Sequence, residues 1–118
     1  MRKTLVDSSV WISHFRKADR TLIRLLENDL VLTHPFVLQE LYLGRPKGKE
    51  FIFNLLGKLV ALPTLTTSEI FVFIEKHRLV GQGIGIVDTH LLGAAFFAEA
   101  EIYTHDQKLK KKGLQLLK

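Results

Sequence analysis

Short apolar runs of strand length alternate with longer stretches of helical spacing along the whole chain. The strand-like runs are Thr4-Leu5-Val6, which stops at Asp7, then Leu30-Val31-Leu32-Thr33, Leu59-Val60-Ala61-Leu62 before Pro63, and Glu101-Ile102-Tyr103-Thr104. Between the first two, Ser8 or Ser9 can cap a short helix through Ile12 to Phe15, and Leu22, Ile23, Leu25 and Leu26 recur at helical spacing. Pro35 opens a helix over Phe36 to Leu43 that stops at Gly44, and Phe51, Ile52, Leu55 and Leu56 carry another. Thr66, Thr67 or Ser68 with Glu69 starts a helix reaching about Leu79. The stretch from Val87 to Ala98 is apolar nearly all round, the mark of a buried helix. Gln107 to Lys112 reads as a basic helix, and Leu114-Gln115-Leu116-Leu117 as an edge strand that would bring the strand count from four to five.

Strands alternating with helices predict an α/β fold: a four- or five-stranded parallel sheet with helices on both faces. No repeat, low-complexity tract or Gly/Ser linker interrupts the 118 residues, so a single domain over 1–118 is expected.

Composition narrows the function classes. With 47% hydrophobic and 25% charged residues the chain is of globular type, and the absence of cysteine excludes disulfides, a thiolate nucleophile and Cys-based zinc sites. The apolar run behind Met1-Arg2-Lys3 is too short for a signal-peptide core, and no segment approaches the ~20 apolar residues of a membrane helix. A soluble, cytoplasmic protein is expected. The net charge of +5 favours a polyanionic partner, nucleic acid or an acidic protein.

The predicted topology also locates chemistry. In right-handed crossovers each helix begins at the carboxyl edge of the sheet, where open α/β folds bind ligands. Asp7 ends the first strand, Asp106 follows the fourth, Glu40 lies in the second turn of the helix after the second strand, and Asp88 lies in the first turn of the helix feeding the fourth. Glu40 and Asp88 have apolar helical neighbours, so their carboxylates are expected to need hydrogen bonds, neutralisation or a cation. Converging carboxylates without a nearby Arg or Lys suit a hard divalent ion, Mg²⁺ or Mn²⁺. Such a site within a basic surface reads as a phosphodiesterase. Taken singly, each acid has a plain alternative: Asp7 a helix cap, Asp88 a partner for the helix dipole, Asp106 a turn former, Glu40 a surface residue.

Four segments in order carry a resemblance: Val6-Asp7-Ser8-Ser9-Val10-Trp11-Ile12, Gln39-Glu40-Leu41-Tyr42-Leu43-Gly44, Gly83-Ile84-Gly85-Ile86-Val87-Asp88-Thr89-His90-Leu91-Leu92 and Tyr103-Thr104-His105-Asp106. Together they resemble the acidic motifs of PIN-domain ribonucleases of the VapC toxin type, over the whole chain. The resemblance implies a three-layer α/β/α sandwich, a Mg²⁺- or Mn²⁺-dependent endoribonuclease neutralised by a cognate VapB-like antitoxin, and a homodimer. It assigns Asp7, Glu40, Asp88 and Asp106 as catalytic and metal-binding residues, with Ser8 and Thr104 in support. The acid or aromatic usual after the fourth Asp is replaced here by Gln107-Lys108-Leu109.

Arg16, Lys17, Arg45, Lys47, Lys49 and Lys108 fall in predicted loops or helix starts near the acidic edge and are candidates for holding an RNA backbone. His90 and His105 lie beside the acids, but a reaction that uses metal-activated water needs no histidine base. The Gly81, Gly83, Gly85 series lacks dinucleotide-loop spacing and reads as a turn orienting Asp88. Trp11 is expected in core or dimer packing. Two other functions fit the same residues: a catalytically silent PIN module that binds nucleic acid or antitoxin, and a PIN nuclease of RNA processing outside any toxin–antitoxin pair.

Overall fold

A computed structural model of the protein describes residues 2–44, 47–48 and 50–117. Four strands, β1 (Thr4–Val6), β2 (Val31–Thr33), β3 (Val60–Ala61) and β4 (Glu101–Tyr103), pair in parallel in the order β3-β2-β1-β4. The connecting helices are α1 (Ser8–Arg16), α2 (Arg20–Glu27), α3 (Pro35–Leu43), α4 (Glu50–Leu56), α5 (Thr67–Lys76) and α6 (Ile86–Phe97), and α7 (Gln107–Leu116) follows β4. Helix α1 packs on α3, while α6 packs on α5 and α7. Right-handed crossovers from β1 through β2 to β3 place α1 to α4 on one face. The return from β3 to β4 crosses the sheet and places α5 and α6 on the other, giving the α/β sandwich expected of PIN domains.

That strand order creates a switch point between β1 and β4, because the chain leaves β1 in one direction and later arrives on its opposite side. The pairing is in register from Thr4 with Glu101 to Val6 with Tyr103, and the Asp7 N–H continues it by donating to the Tyr103 carbonyl at 2.9 Å. Asp7 and Thr104 therefore emerge side by side where the two strands part.

The core forms where the apolar runs meet. Leu5, Val6 and Val10 are fully buried with Val37, Leu91, Leu92 and Leu109, and Trp11 sits among them at 1% exposure. Trp11 thus belongs to the core and offers no base-stacking face. Helix α6 is buried through its middle, with its ends Ile86 and Phe97 exposed. Its Gly93 permits close packing, since a Cβ there would lie 2.6 Å from Leu65 Cδ1.

Leu114 to Leu117 form no edge strand. Leu109, Gly113, Leu116 and Leu117 recur at helical spacing; Leu109 and Gly113 are buried and Leu116 and Leu117 pack against the core, so α7 runs on to Leu116. The third strand is also shorter than its apolar run, and Val60, at the sheet edge, is 61% exposed.

Helices α2, α5 and α6 end on Asp29, Arg78 and Glu99, all in the left-handed region with φ near 55°. Each is followed by an apolar residue whose N–H reaches back into the last turn: Leu30 to Leu25, Leu79 to Ile74 and Ala100 to Ala95, at 3.0, 3.0 and 2.9 Å. This is the Schellman closure without glycine, made worthwhile by burial of Leu79 and Ala100. No helix among the described residues is long and apolar enough to cross a membrane.

Candidate active site

Asp7 is the N-cap of α1, and its carboxylate is nearly saturated with donors. Oδ1 accepts the Ser8 N–H at 2.8 Å, and Oδ2 accepts the Ser9 hydroxyl at 2.8 Å and the Thr104 hydroxyl at 2.7 Å. Each hydroxyl has one proton, so the remaining contacts assign themselves. Ser9 Oγ gives its proton to Asp7 and accepts the His105 N–H at 3.1 Å; Thr104 Oγ1 does likewise and accepts the Asp106 N–H at 3.0 Å. Ser8 Oγ lies 2.9 Å from Glu40 Oε1 and 3.5 Å from Asp7 Oδ1, so its proton goes to Glu40. A buried carboxylate is thereby fixed in direction, and its support links α1, α3, β4 and the start of α7.

Asp106 is exposed and caps α7 by accepting the Leu109 N–H at 2.9 Å. The capping roles open from sequence for Asp7 and Asp106 are both present, and neither consumes every oxygen lone pair. Glu40 is exposed, the surface position open to it from sequence, because α3 turns that side toward solvent beside α1, and the Ser8 hydroxyl supplies a hydrogen bond that its apolar helical neighbours do not.

Asp88 is different. It sits in the first turn of α6, behind the uncapped Gly85, half-buried and without a hydrogen-bond donor among the described residues. Burial first, then the charges of Asp7, Asp106 and Glu40, push its carboxyl up to about 6. All four acids thus share one electrostatic neighbourhood, and among the described residues no Lys or Arg forms an ion pair with any of them. As they stand, no three His, Asp or Glu side chains among the described residues are close enough to hold a metal ion. The chemistry of the donor set nevertheless fits a hard divalent ion: oxygen atoms alone, one unpartnered half-buried carboxylate, and hydroxyls that orient another from behind.

The basic candidates divide. Lys108 Nζ donates to the Gly83 carbonyl at 3.3 Å, tying α7 to the loop that leads into Asp88. That loop needs its glycines, since Gly81 and Gly83 have φ of 73° and 74° and a Cβ at Gly83 would stand 2.9 Å from Lys108 Nζ. Arg16 shares a recess with Glu40, Ile12 and Gly44. Lys17 and Lys47 are exposed, and Arg45 and Lys49 lie outside the described residues.

A second polar cluster escaped the sequence reading. Asp19 caps α2 by accepting the Leu22 N–H at 2.8 Å, accepts the Tyr103 hydroxyl at 2.7 Å and lies 3.5 Å from His105 Nε2, while its own N–H donates to His14 Nδ1 at 2.9 Å. Burial works against its charge, but Leu22, Tyr103, His105 and His14 together hold Asp19 below the usual carboxylate range. The cluster braces the α1–α2 loop against the Tyr103–Asp106 turn. The one signal for it was Asp19 three residues before Leu22, an N-cap spacing hidden inside a charged run.

No family model matches the chain. Among curated proteins it is 42% identical over 107 residues to the ribonuclease VapC32 of Mycobacterium tuberculosis, in strain CDC 1551 / Oshkosh and equally in strain ATCC 25618 / H37Rv, covering 90% of this chain and 86% of the relative. The matched length takes in nearly all of the chain. On that identity and that fold, the chain belongs to the VapC family of PIN-domain ribonucleases.

Proposed function

We propose that the protein is an endoribonuclease toxin that hydrolyses RNA phosphodiester bonds at the carboxyl edge of β1 and β4, dependent on Mg²⁺ or Mn²⁺ and neutralised by a cognate VapB-like antitoxin. One observation carries the metal reading: Asp88 is half-buried, has no donor among the described residues, and is raised to about 6 by burial and by Asp7, Asp106 and Glu40. A divalent cation is the species that would relieve this arrangement. Asp7, Glu40, Asp88 and Asp106 would hold it. When bound, it would acidify a water and neutralise charge on the phosphoryl group.

The chain's own residues do the rest. Ser9 and Thr104 aim Asp7, Ser8 holds Glu40 beside it, and the glycine loop delivers Asp88. Arg16, Lys17 and Lys108, with the net charge of +5, favour approach of a polyanion. For the antitoxin and for pairing of two copies, supporting features are the exposed apolar side chains Tyr42, Leu43, Phe51 and Leu55 on α3 and α4, a surface of the kind that partners cover. A cytoplasmic site of action accords with an RNA substrate.

The test is to sequence cleavage sites in total RNA after brief induction of wild type and Asp7→Asn, and to repeat cleavage with pure protein and chelator. Cuts that vanish with Asp7→Asn and with chelator are expected. Strong chelator-resistant cleavage by pure protein defeats the metal mechanism. A second reading, a silent binding module, draws on the capping roles of Asp7 and Asp106 and on the acids' separation. It predicts RNA binding without any Mn²⁺ binding.

A further inference from the structure

His34 is an unusual helix cap. It sits between β2 and α3 at 0% exposure, and its Nδ1 accepts the Phe36 N–H at 3.0 Å. Nε2 must then carry the proton in the neutral ring, yet it is buried with no hydrogen-bond partner among the described residues. Ser, Thr or Asp would serve the cap alone, with no stranded N–H. What the imidazole adds is a ring. Phe36 stands against His34 at 5.1 Å between centroids and against His90 at 5.0 Å, with interplanar angles of 62° and 76°. Both contacts are edge-to-face, the arrangement aromatic rings favour. His90 in turn has a buried Nδ1 with no partner among the described residues, so it too is held by packing at that atom.

The three rings therefore form a column from the end of β2, through the first turn of α3, to the first half of α6. Phe36 and Glu40 are four residues apart and share a face of α3, and His90 is two residues past Asp88. Helix α3 is tied to Asp7's helix through Ser8 and Glu40. This column is a side-chain link from α3 toward Asp88's helix. We propose that His34, Phe36 and His90 are positioning residues: their ring column sets the distance between α3 and α6, and so the separation of Glu40 and Asp88 across the metal site. The inference rests on the metal reading of the proposed function for its consequence, although the column itself does not need the metal.

The experiment uses the full chain without RNA. Mn²⁺ affinity is measured by calorimetry, thermal unfolding reports global stability, and hydrogen exchange follows the amides of residues 86–90. Phe36→Leu keeps an apolar residue and the capped N–H but removes the middle ring; His34→Asn keeps a cap acceptor and removes the first ring. Phe36→Tyr keeps the column, and Phe71→Leu removes an exposed ring from α5 as control. The expected result is about tenfold weaker Mn²⁺ binding, or more, in both ring-loss variants, with affinity kept within about twofold in Phe36→Tyr and Phe71→Leu. Exchange at 86–90 should rise in the ring-loss variants beyond any global loss of stability, and kcat for RNA should fall with KM little changed.

Folded Phe36→Leu or His34→Asn with wild-type Mn²⁺ affinity and unchanged exchange at 86–90 overturns the column's role; His34→Asn carries the same test should Phe36→Leu fail to fold. Wild type that binds no Mn²⁺ overturns the metal reading instead. In that case the exchange data alone decide the column, faster exchange upholding it and unchanged exchange refuting it.

Discussion

Asp7 and Asp88 share one electrostatic neighbourhood but stand in opposite states of preparation. Asp7 is buried, yet a backbone N–H and two hydroxyls donate to it, and those hydroxyls are themselves fixed by the His105 and Asp106 amides. Asp88 is less buried, has no donor among the described residues, and faces three other acids. Burial alone therefore does not decide which acid is strained; the supply of donors does. The β1–β4 half of the site is complete as folded, whereas the α6 half has a charge left over. Under the proposed metal reading, a cation would be drawn by that surplus and would meet a first half already aimed.

The largest expected effect treats the two acids alike. Asp7→Asn and Asp88→Asn should each lower RNA cleavage by about 100-fold or more in a single-turnover assay, since both would remove a charged oxygen ligand. A fall of less than about tenfold in either would remove that residue from the metal site.

Stability should then separate them. Asp7→Asn places an NH₂ or a single oxygen where Ser8, Ser9 and Thr104 need acceptors, so urea unfolding should show a loss of about 2–3 kcal/mol. Asp88→Asn removes an ionised acid the fold disfavours, and metal-free protein should gain about 1–2 kcal/mol at pH 7, the shift being discounted for partial exposure. If both substitutions destabilise equally, the contrast between the halves is wrong.

The pH dependence sharpens the same contrast. Asp88's folded value is raised from 3.8 to about 6, so the folded state holds that proton more tightly than the unfolded chain. Its effect on stability is most favourable below about pH 4 and is lost as pH rises through about 6. The gain from Asp88→Asn should accordingly fade to nothing near pH 4. His34 works in the other direction: burial, with His90 beside it, lowers it from 6.5 to about 4, so its contribution is full above about 6.5 and lost as pH falls toward 4. Comparing wild type with Asp88→Asn at each pH cancels the His34 part and isolates Asp88.

The contrast between the acids also marks how far the sequence could be read. Four parallel strands and the placement of the acids followed from apolar runs, crossover handedness and the carboxyl-edge rule. The end of the chain misled because Leu114-Gln115-Leu116-Leu117 alternates locally, while the helical face from Leu109 shows only over a longer window. Schellman ends on Asp29, Arg78 and Glu99 carry no glycine to announce them. In the site, the apolar neighbours of Asp88 announce its raised carboxyl, whereas Glu40 with similar neighbours is exposed, because which side of α3 meets solvent depends on how α1 packs. The Asp19 cluster joins residues 84 or more apart in sequence, Asp19 with Tyr103 and His105, and no local pattern reports such pairing.

The smallest effect tests whether the two halves are independent. Thr104→Val keeps the shape and removes one of two hydroxyls on Asp7 Oδ2, so it should cost about 1 kcal/mol, with Ser9 still in place. A looser Asp7 can turn from Asp88, whose charge then meets less repulsion. The stabilisation from Asp88→Asn should therefore be smaller in the Thr104→Val background, by a few tenths of a kcal/mol, about the limit of a double-mutant cycle. Strict additivity would mean that Asp88 owes its raised value to burial alone and that the acids, although on one edge, do not feel each other's orientation.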